Sequence, residues 1–290
     1  MLSSSGLSPS RAFPMPSPIR LAAIDLGSNS FRLEIGVISH GAFERTEYLK
    51  ESVRQGAGMD SDRNLTPQAM QSGWDCLARF GERLAGFKTS QVRAVATQTL
   101  REARNRDVFL ARAVKILGFP IDVISGREEA RLIYKGVSHL LAPSDERRLV
   151  IDIGGRSTEL ILGQNQQPRV MESFRVGSIA WSTRYFPEGL WRRKSFDTAE
   201  IAAKAVLDGA LQAYHSGNWD IAYGSAGTVS AVSEALVAGG WSDGLVTMEG
   251  LDWLKELLIE TGQAEGSKIP GLREDRKAII AGGLAVTRAL

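Results

Sequence analysis

The sequence predicts an α/β protein built as two similar lobes around a cleft. Three observations carry that expectation. The stretch Ile24-Asp25-Leu26-Gly27-Ser28-Asn29-Ser30-Phe31-Arg32-Leu33 returns at Ile151 as Ile-Asp-Ile-Gly-Gly-Arg-Ser-Thr-Glu-Leu, with Asp152 where Asp25 stood and Gly154 where Gly27 stood. Such an internal repeat signals duplicated architecture. After each copy, short apolar runs alternate with helical patterns, the arrangement of a mixed or parallel sheet covered by helices. Finally, 290 residues suffice for two ordinary cores.

In chain order, residues 1–18 are rich in Ser and Pro, lack the apolar centre of a signal peptide, and read as a disordered leader. A first lobe is expected over 19–141. Arg20 to Ile24 and Phe31 to Ile38 form its hairpin, and Phe43 to Val53 a third strand. Thr66-Pro67 opens a helix, with Met70, Trp74, Leu77 and Leu84 at helical spacing toward the sheet. Val92 to Ala96 reads as a buried strand running into Thr97-Gln98-Thr99-Leu100-Arg101. Asn105 or Asp107 caps the next helix, whose apolar face is read as Val108, Phe109, Ala111, Val114 and Leu117, with Gly118 as its stop. After a strand at Ile121 to Ile124, Ser125-Gly126-Arg127-Glu128-Glu129-Ala130-Arg131 starts a long helix to about Leu141, expected to bridge the lobes.

The second lobe, 142–290, repeats the layout with a hairpin over 149–163, a strand near Val170 to Arg175 and a loop Val176-Gly177-Ser178. A helix from Asp197 to about His215 carries Ile201, Ala205 and Leu211. Ile221 to Tyr223 is a strand entering the turn Gly224-Ser225-Ala226-Gly227-Thr228, and helices near Met248 to Glu260 and Glu274 to Leu290 follow.

Composition narrows the function classes. A net charge of +2 gives no strong field for nucleic acid. One cysteine, Cys76, rules out an internal disulfide and fits a reducing, cytoplasmic location. His40, His139 and His215 are scattered and offer no zinc spacing, and no apolar run reaches membrane-span length.

The repeated turns carry the chemistry. Glycine and serine leave room for several backbone N–H groups to converge on one anion, and glycine also tolerates positive φ. Ser28, Asn29, Ser30, Ser157 and Thr158 add side-chain donors. An aspartate ending each first strand suits a Mg²⁺ shell of hard oxygens and waters. Two such hairpins imply lobes that grip a phosphate-bearing ligand between them, and the third small-residue turn, 224–228, adds a helix N-terminus of the phosphate-binding kind. Glu128 and Glu129 lie in a first helical turn, where the helix dipole alone accounts for carboxylates.

With these elements placed, the chain resembles the exopolyphosphatase / guanosine pentaphosphate phosphohydrolase family, closest to the bacterial exopolyphosphatase branch. The resemblance runs from about Leu21 to the C-terminus. It is carried by Ala23 to Phe31, Thr97 to Arg101, Ile124 to Leu132, Val150 to Gly155 and Pro270-Gly271-Leu272-Arg273-Glu274-Asp275-Arg276. It implies the actin/Hsp70/sugar-kinase fold, two ribonuclease-H-like lobes around a cleft. It also implies Mg²⁺-dependent hydrolysis of the terminal phosphoanhydride of inorganic polyphosphate, releasing orthophosphate, with guanosine pentaphosphate as the alternative substrate and a homodimer as the assembly. By the resemblance, Glu129 is the general base, with Glu128 turned about 100° away. Asp25 and Asp152 organise water and Mg²⁺, and Asn29, Ser30, Gly154, Gly155 and Ser157 hold phosphate. Arg101 is a phosphate-binding arginine and Arg276 a further contact to the polyanion. Lys135, Arg147, Arg148, Arg192, Arg193 and Lys194 would line a polyanion path, against the plainer reading of a solvated surface.

Two departures stand out. Where the family has a third glycine, this chain has Arg156. If that position requires positive φ, arginine costs about 1 kcal/mol and its side chain fills the phosphate pocket; alternatively the cation strengthens anion binding. Second, family members continue past the position of Leu290 with another strand. The expectation is a fragment or truncated product, with an unpaired sheet edge in the second lobe and impaired action on long chains. These departures raise a rival of another class, a catalytically impaired member that binds polyphosphate or a guanosine alarmone as a sensor. A sugar- or acetate-kinase-like phosphotransferase is a remoter rival, against which Glu129 in its Ser-Gly-x-Glu-Glu-Ala-Arg setting argues.

Overall fold

A computed structural model describes residues 19–39, 42–241 and 244–290, so the expected leader lies outside the described residues. The first sheet contains β1 (Ile19–Leu26), β2 (Phe31–Ser39), β3 (Ala42–Glu51), β4 (Val92–Ala96) and β5 (Ile121–Val123), in the order β3-β2-β1-β4-β5. β1, β2 and β3 are antiparallel neighbours, and β4 and β5 run parallel to β1. The second sheet has β6 (Arg147–Ile153), β7 (Thr158–Gln164), β8 (Gln167–Phe174) and β9 (Ile221–Ser225), in the order β8-β7-β6-β9. The duplication is therefore topological, with β6 to β9 repeating β1 to β4. Among the described residues β9 pairs with β6 alone, so the second sheet is one strand narrower.

The first lobe adds α1 (Pro67–Arg83), α2 (Gln98–Glu102) and α3 (Arg106–Leu117). Thr66 caps α1 by accepting from the Ala69 amide, as its Thr-Pro start predicts. Leu33, Ile35, Leu77, Phe80 and Phe109 form the centre of this core. The helices of the second half are α4 (Gly126–Leu140), α5 (Ser178–Tyr185), α6 (Arg193–Leu207), α7 (Ala226–Ala238), α8 (Met248–Thr261) and α9 (Glu274–Ala289). Leu160, Phe196, Leu254 and Leu284 centre the core on one face of the second sheet. On the other face, Ala130 and Tyr134 of α4 pack on Val150 and Ile161. With both faces covered, β7 reads as a nearly unbroken buried strand. No helix among the described residues is long and apolar enough to cross a membrane.

Several sequence expectations need correction. Helix α4 packs against β7 and β8, so by its contacts it belongs to the second lobe, and the boundary between lobes falls before it rather than at residue 141. The buried stripe of α3 is Phe109, Ala113 and Leu117, while Val108 is 63% exposed. On α6 the buried residues are Phe196, Ala199, Ala203 and Leu207, whereas Ile201 faces solvent; the helix ends at Leu207, short of the expected His215, and Leu211 beyond it is also exposed. In both helices i, i+3 and i, i+4 spacing decides the face, which α3 turns chiefly to α1 and α6 to α9 and α5. Helix α5 has no counterpart among the expected elements.

Asn105 stands at the N-cap position of α3 but makes no capping bond. Its side-chain oxygen instead accepts from the Leu65 amide at 2.8 Å and its nitrogen donates to the Leu65 carbonyl at 2.9 Å, pinning the loop before α1. Asn105→Ala leaves both groups unpaired and is expected to destabilise the protein by about 2 kcal/mol, read by urea unfolding with unchanged m.

Candidate active site

The two repeated turns meet across the cleft between the sheets. A Cβ on Gly155 would lie 3.2 Å from the Ser28 Cβ and 2.8 Å from Ile179 Cδ1, so the loops approach at backbone distance. Neither Gly27, Gly154 nor Gly155 has positive φ. Glycine is needed there for space: a Cβ on Gly27 or Gly154 would press on the Ser30 or Ser157 carbonyl at 3.0 and 3.1 Å. Each loop is buttressed. The Ser28 and Asn29 carbonyls accept from the Gly56 and Arg54 amides, both at 2.8 Å, and Thr99 Oγ1 donates to Ser28 Oγ at 2.8 Å. The Gly154 and Gly155 carbonyls accept from the Ser178 and Ile179 amides at 2.9 and 2.8 Å, at the start of α5.

The cleft, about 320 Å³, brings together most of the expected residues: Asp25, Asn29, Ser30, Glu129, Asp152, Gly154, Gly155, Ser157 and Arg276 all line it. Glu128 turns outward onto Arg131, as the helical offset requires. The third turn also contributes. Ala226 opens α7 at φ 63°, an unusual conformation for a residue with a Cβ, and Gly227 and Thr228 line the cleft beside Arg276. A Cβ on Gly227 would meet the Arg276 guanidinium carbon at 2.7 Å, so this glycine makes room for the arginine.

Arg101 is placed differently from the expectation. It does not line the cleft; it donates to Glu129 Oε2 at 3.1 Å and to the Ile124 carbonyl at 2.8 Å, and also bonds Gln98 Oε1. Since α2 belongs to the first lobe and α4 to the second, the Arg101–Glu129 pair spans the cleft. The candidate polyanion path is not formed as expected: Arg147 is paired with Asp220 and Arg193 with Glu256, Arg148 is buried against the Ala142 carbonyl, and none of the six residues lines the cleft.

Two charged residues escaped sequence reasoning although they occupy one position of the repeat. Arg32 pairs with Asp25 across the first hairpin, and Glu159 with Asp152 across the second. Arg32 Nη1 donates to Asp25 Oδ2 at 2.9 Å. Glu159 is buried at the cleft wall, where Ser173 Oγ donates to it at 2.7 Å and Ser157 adds a second hydroxyl. The signal was present, since a charge in the strand after a small-residue turn, in both copies, points back toward that turn.

Four carboxylates thus share one enclosure, and burial raises all four. It pushes Glu129 to about 7, against the lowering pull of Arg101, with Asp25 and Asp152 adding repulsion. Asp25 rises by burial despite Arg32, and Asp152 rises by burial although it accepts from Ser225 Oγ at 2.9 Å. Glu159 is held well above the usual carboxylate range by burial and by Glu129 and Asp152. Lys50 is lowered by desolvation and by the nearby charges of Arg276, Arg32 and Arg273, of which Arg32 and Arg276 line the cleft. Buried Arg276 is pulled below the ordinary arginine value and has Asp275 only at 3.8 Å. It remains charged, and an anion in the cleft would offset its desolvation.

Arg156 resolves the first sequence departure. Its φ is not positive and its side chain is absent from the cleft lining, so it neither strains the loop nor fills the phosphate pocket.

The family model of the Ppx/GppA phosphatase family matches residues 36–290. Among solved structures, an exopolyphosphatase from Cytophaga hutchinsonii aligns with a TM-score of 0.82 at 24% identity, over 93% of this chain and 89% of that one. An exopolyphosphatase-like protein gives 0.82 at 24% identity, over 93% and 87%. The PPX-GPPA enzyme of Aquifex aeolicus gives 0.75 at 22% identity, over 94% and 91%. These likenesses establish the common two-lobed fold, and the family match spans most of the sequence. The chain belongs to the Ppx/GppA phosphatase family.

Proposed function

We propose that this protein is an exopolyphosphatase, removing the terminal phosphate of inorganic polyphosphate, with guanosine pentaphosphate as the second substrate to assay. The observation that carries the reading is the placement of Glu129, raised to about 7 and held by Arg101, on the wall of a cleft whose other walls are two phosphate-type loops and buried Arg276.

The residues fit a divalent cation. Asp25 and Asp152 face one cleft with hard oxygen donors, and four crowded carboxylates raised by burial are what a bound cation would relieve. No group of three or more acidic, His or Cys ligands forms a ready cage among the described residues. Mg²⁺ usually takes only one or two carboxylates, with waters and substrate phosphates completing its shell. Asp25 and Asp152 would hold it, and it would supply charge stabilisation for the transferred phosphoryl oxygens.

The chain's own groups supply the rest. Backbone N–H groups and the side chains of Asn29, Ser30 and Ser157 orient the terminal phosphate, while Arg276 offsets the negative charge of the chain behind it. Glu129, once ionised, takes the proton from the attacking water. Glu159, raised by burial and by its neighbours Glu129 and Asp152, lines the same cleft beside Ser157. With Arg156 directed out of the cleft, the sensor reading loses one of its two motives.

Mg²⁺-dependent phosphate release from long-chain polyphosphate tests the assignment, with guanosine pentaphosphate in parallel. Arg276→Ala is expected to raise KM at least tenfold. Binding without release would favour the sensor, and release only from guanosine pentaphosphate would exchange the two substrates.

A further inference from the structure

Arg156 stands on the second phosphate loop, yet its guanidinium reaches into the first lobe. Nη1 donates to the Gly56 carbonyl at 3.2 Å and Nη2 to Glu102 Oε2 at 3.2 Å. Gly56 is the residue whose amide holds the Ser28 carbonyl of the first phosphate loop. A Cβ on Gly56 would sit 3.1 Å from Arg156 Cδ, so the bare backbone gives the arginine its passage. At the other end of the arginine, Gly177 lies so close that a Cβ there would be 2.6 Å from the Arg156 amide nitrogen. Arg156 is thereby clamped at both ends.

The contacts continue inward. Glu102, with only 11% of its side chain exposed, also accepts from Gln98 Nε2 at 2.7 Å and pairs with Arg175 at 3.3 Å. Gln98 Oε1 accepts from Arg101, and Arg101 holds Glu129. An unbroken series of hydrogen bonds therefore joins the second phosphate loop to Glu129 through side chains of the first lobe. Arg175 is largely exposed, so its share in holding Glu102 is small; Arg156, mostly enclosed, is the better-fixed partner.

We propose that Arg156 is a positioning residue: it clasps the two phosphate loops across the cleft and, through Glu102, Gln98 and Arg101, holds Glu129 in register with the phosphate site. Its catalytic consequence rests on the hydrolase reading above; the clasp itself does not. A glycine at this position would take the cross-cleft donor from the Gly56 carbonyl and leave Glu102 with the largely exposed Arg175 as its remaining partner from the second lobe.

The test is Arg156→Met, which keeps the stem and removes the guanidinium, in the full chain. Hydrogen exchange should quicken at least tenfold at Gly56 and over 98–102, with α3 amides unchanged. In the phosphate-release assay kcat should fall at least tenfold while KM stays within twofold. In a Glu102→Gln background the same substitution should cost less than twofold further, because the relay is already cut. Arg156→Lys, able to reach one acceptor but not both, should restore part of kcat. Unchanged exchange, or additive losses with Glu102→Gln, would overturn the proposal, as would a raised KM at constant kcat, which marks a direct substrate contact. If the unaltered protein releases no phosphate from either substrate, the hydrolase reading fails by itself and the exchange experiment still decides the clasp.

Discussion

Glu129→Gln is expected to lower phosphate release at pH 8 by about a thousandfold while polyphosphate binding changes only a few-fold. The substitution keeps shape and an acceptor for Arg101 but removes the carboxylate proposed as base, which lines the cleft with the two phosphate-type loops. Glu129 sits in the first turn of α4, where Ser125 caps the helix by accepting from the Glu128 amide. A helix start ordinarily favours the carboxylate form. Here burial outweighs it, together with the repulsion of Asp25 and Asp152, and the group rises to about 7. The sign of the pH dependence follows. Below that value Glu129 is protonated and cannot accept a proton, so kcat/KM should climb with pH and level off above about 7, the limb vanishing in the Gln variant. Stability has the opposite slope. Between the ordinary carboxylate value of 4.5 and about 7 the folded state binds more protons than the unfolded one, so this group's contribution to stability falls as pH rises through that window. The Gln variant should therefore gain on the parent in Tm at pH 8 and lose that gain at pH 5. A full-rate Gln variant would move the base to another group, Glu159 first.

The duplicated hairpins were legible because a strand, a small-residue turn and a strand leave little other choice of local structure, and the repeat fixed their relation. Direction was harder to read than position. Arg101 and Glu129 were both singled out, yet only the fold reveals that the arginine donates to the glutamate. Arg32 and Glu159 stayed hidden because a charge in a strand reads as solvent-facing until the cleft that both of them line is known. The faces of α3 and α6 were misjudged for the reverse reason: Val108, Ile201 and Leu211 are apolar but exposed, while alanines do the burying. Arg156 was read as a substituent of its own loop, and nothing local to 154–157 could reveal acceptors 54 and 100 residues away.

Gly282→Val is expected to destabilise the protein by about 3 kcal/mol and to lower Tm by roughly 10 °C. Gly282 lies where α9 crosses α5. A Cβ there would fall 2.5 Å from Ser182 Oγ and 2.6 Å from the Ser178 carbonyl, and it would press on the Ser182 backbone nitrogen as well. Two of these neighbours are main-chain atoms of a helix and cannot rotate away, so the helices must separate. Valine adds two methyl groups with one favoured rotamer, which closes the remaining escape. The damage should reach the site by two routes. Ser178 and Ile179 at the start of α5 hold the Gly154 and Gly155 carbonyls, and α9 delivers Arg276. On the next residue, a Cβ on Gly283 would meet Thr228 Cγ2 at 2.5 Å, so α9 is wedged between α5 and the start of α7. The fraction that remains folded should consequently show a KM raised several-fold or more, as for a displaced Arg276. Gly282→Ala, with a single methyl group, should fall between parent and valine in both measurements. An unchanged Tm with valine would mean that α9 does not seat against α5, and the placement of Arg276 in the cleft would fall with it.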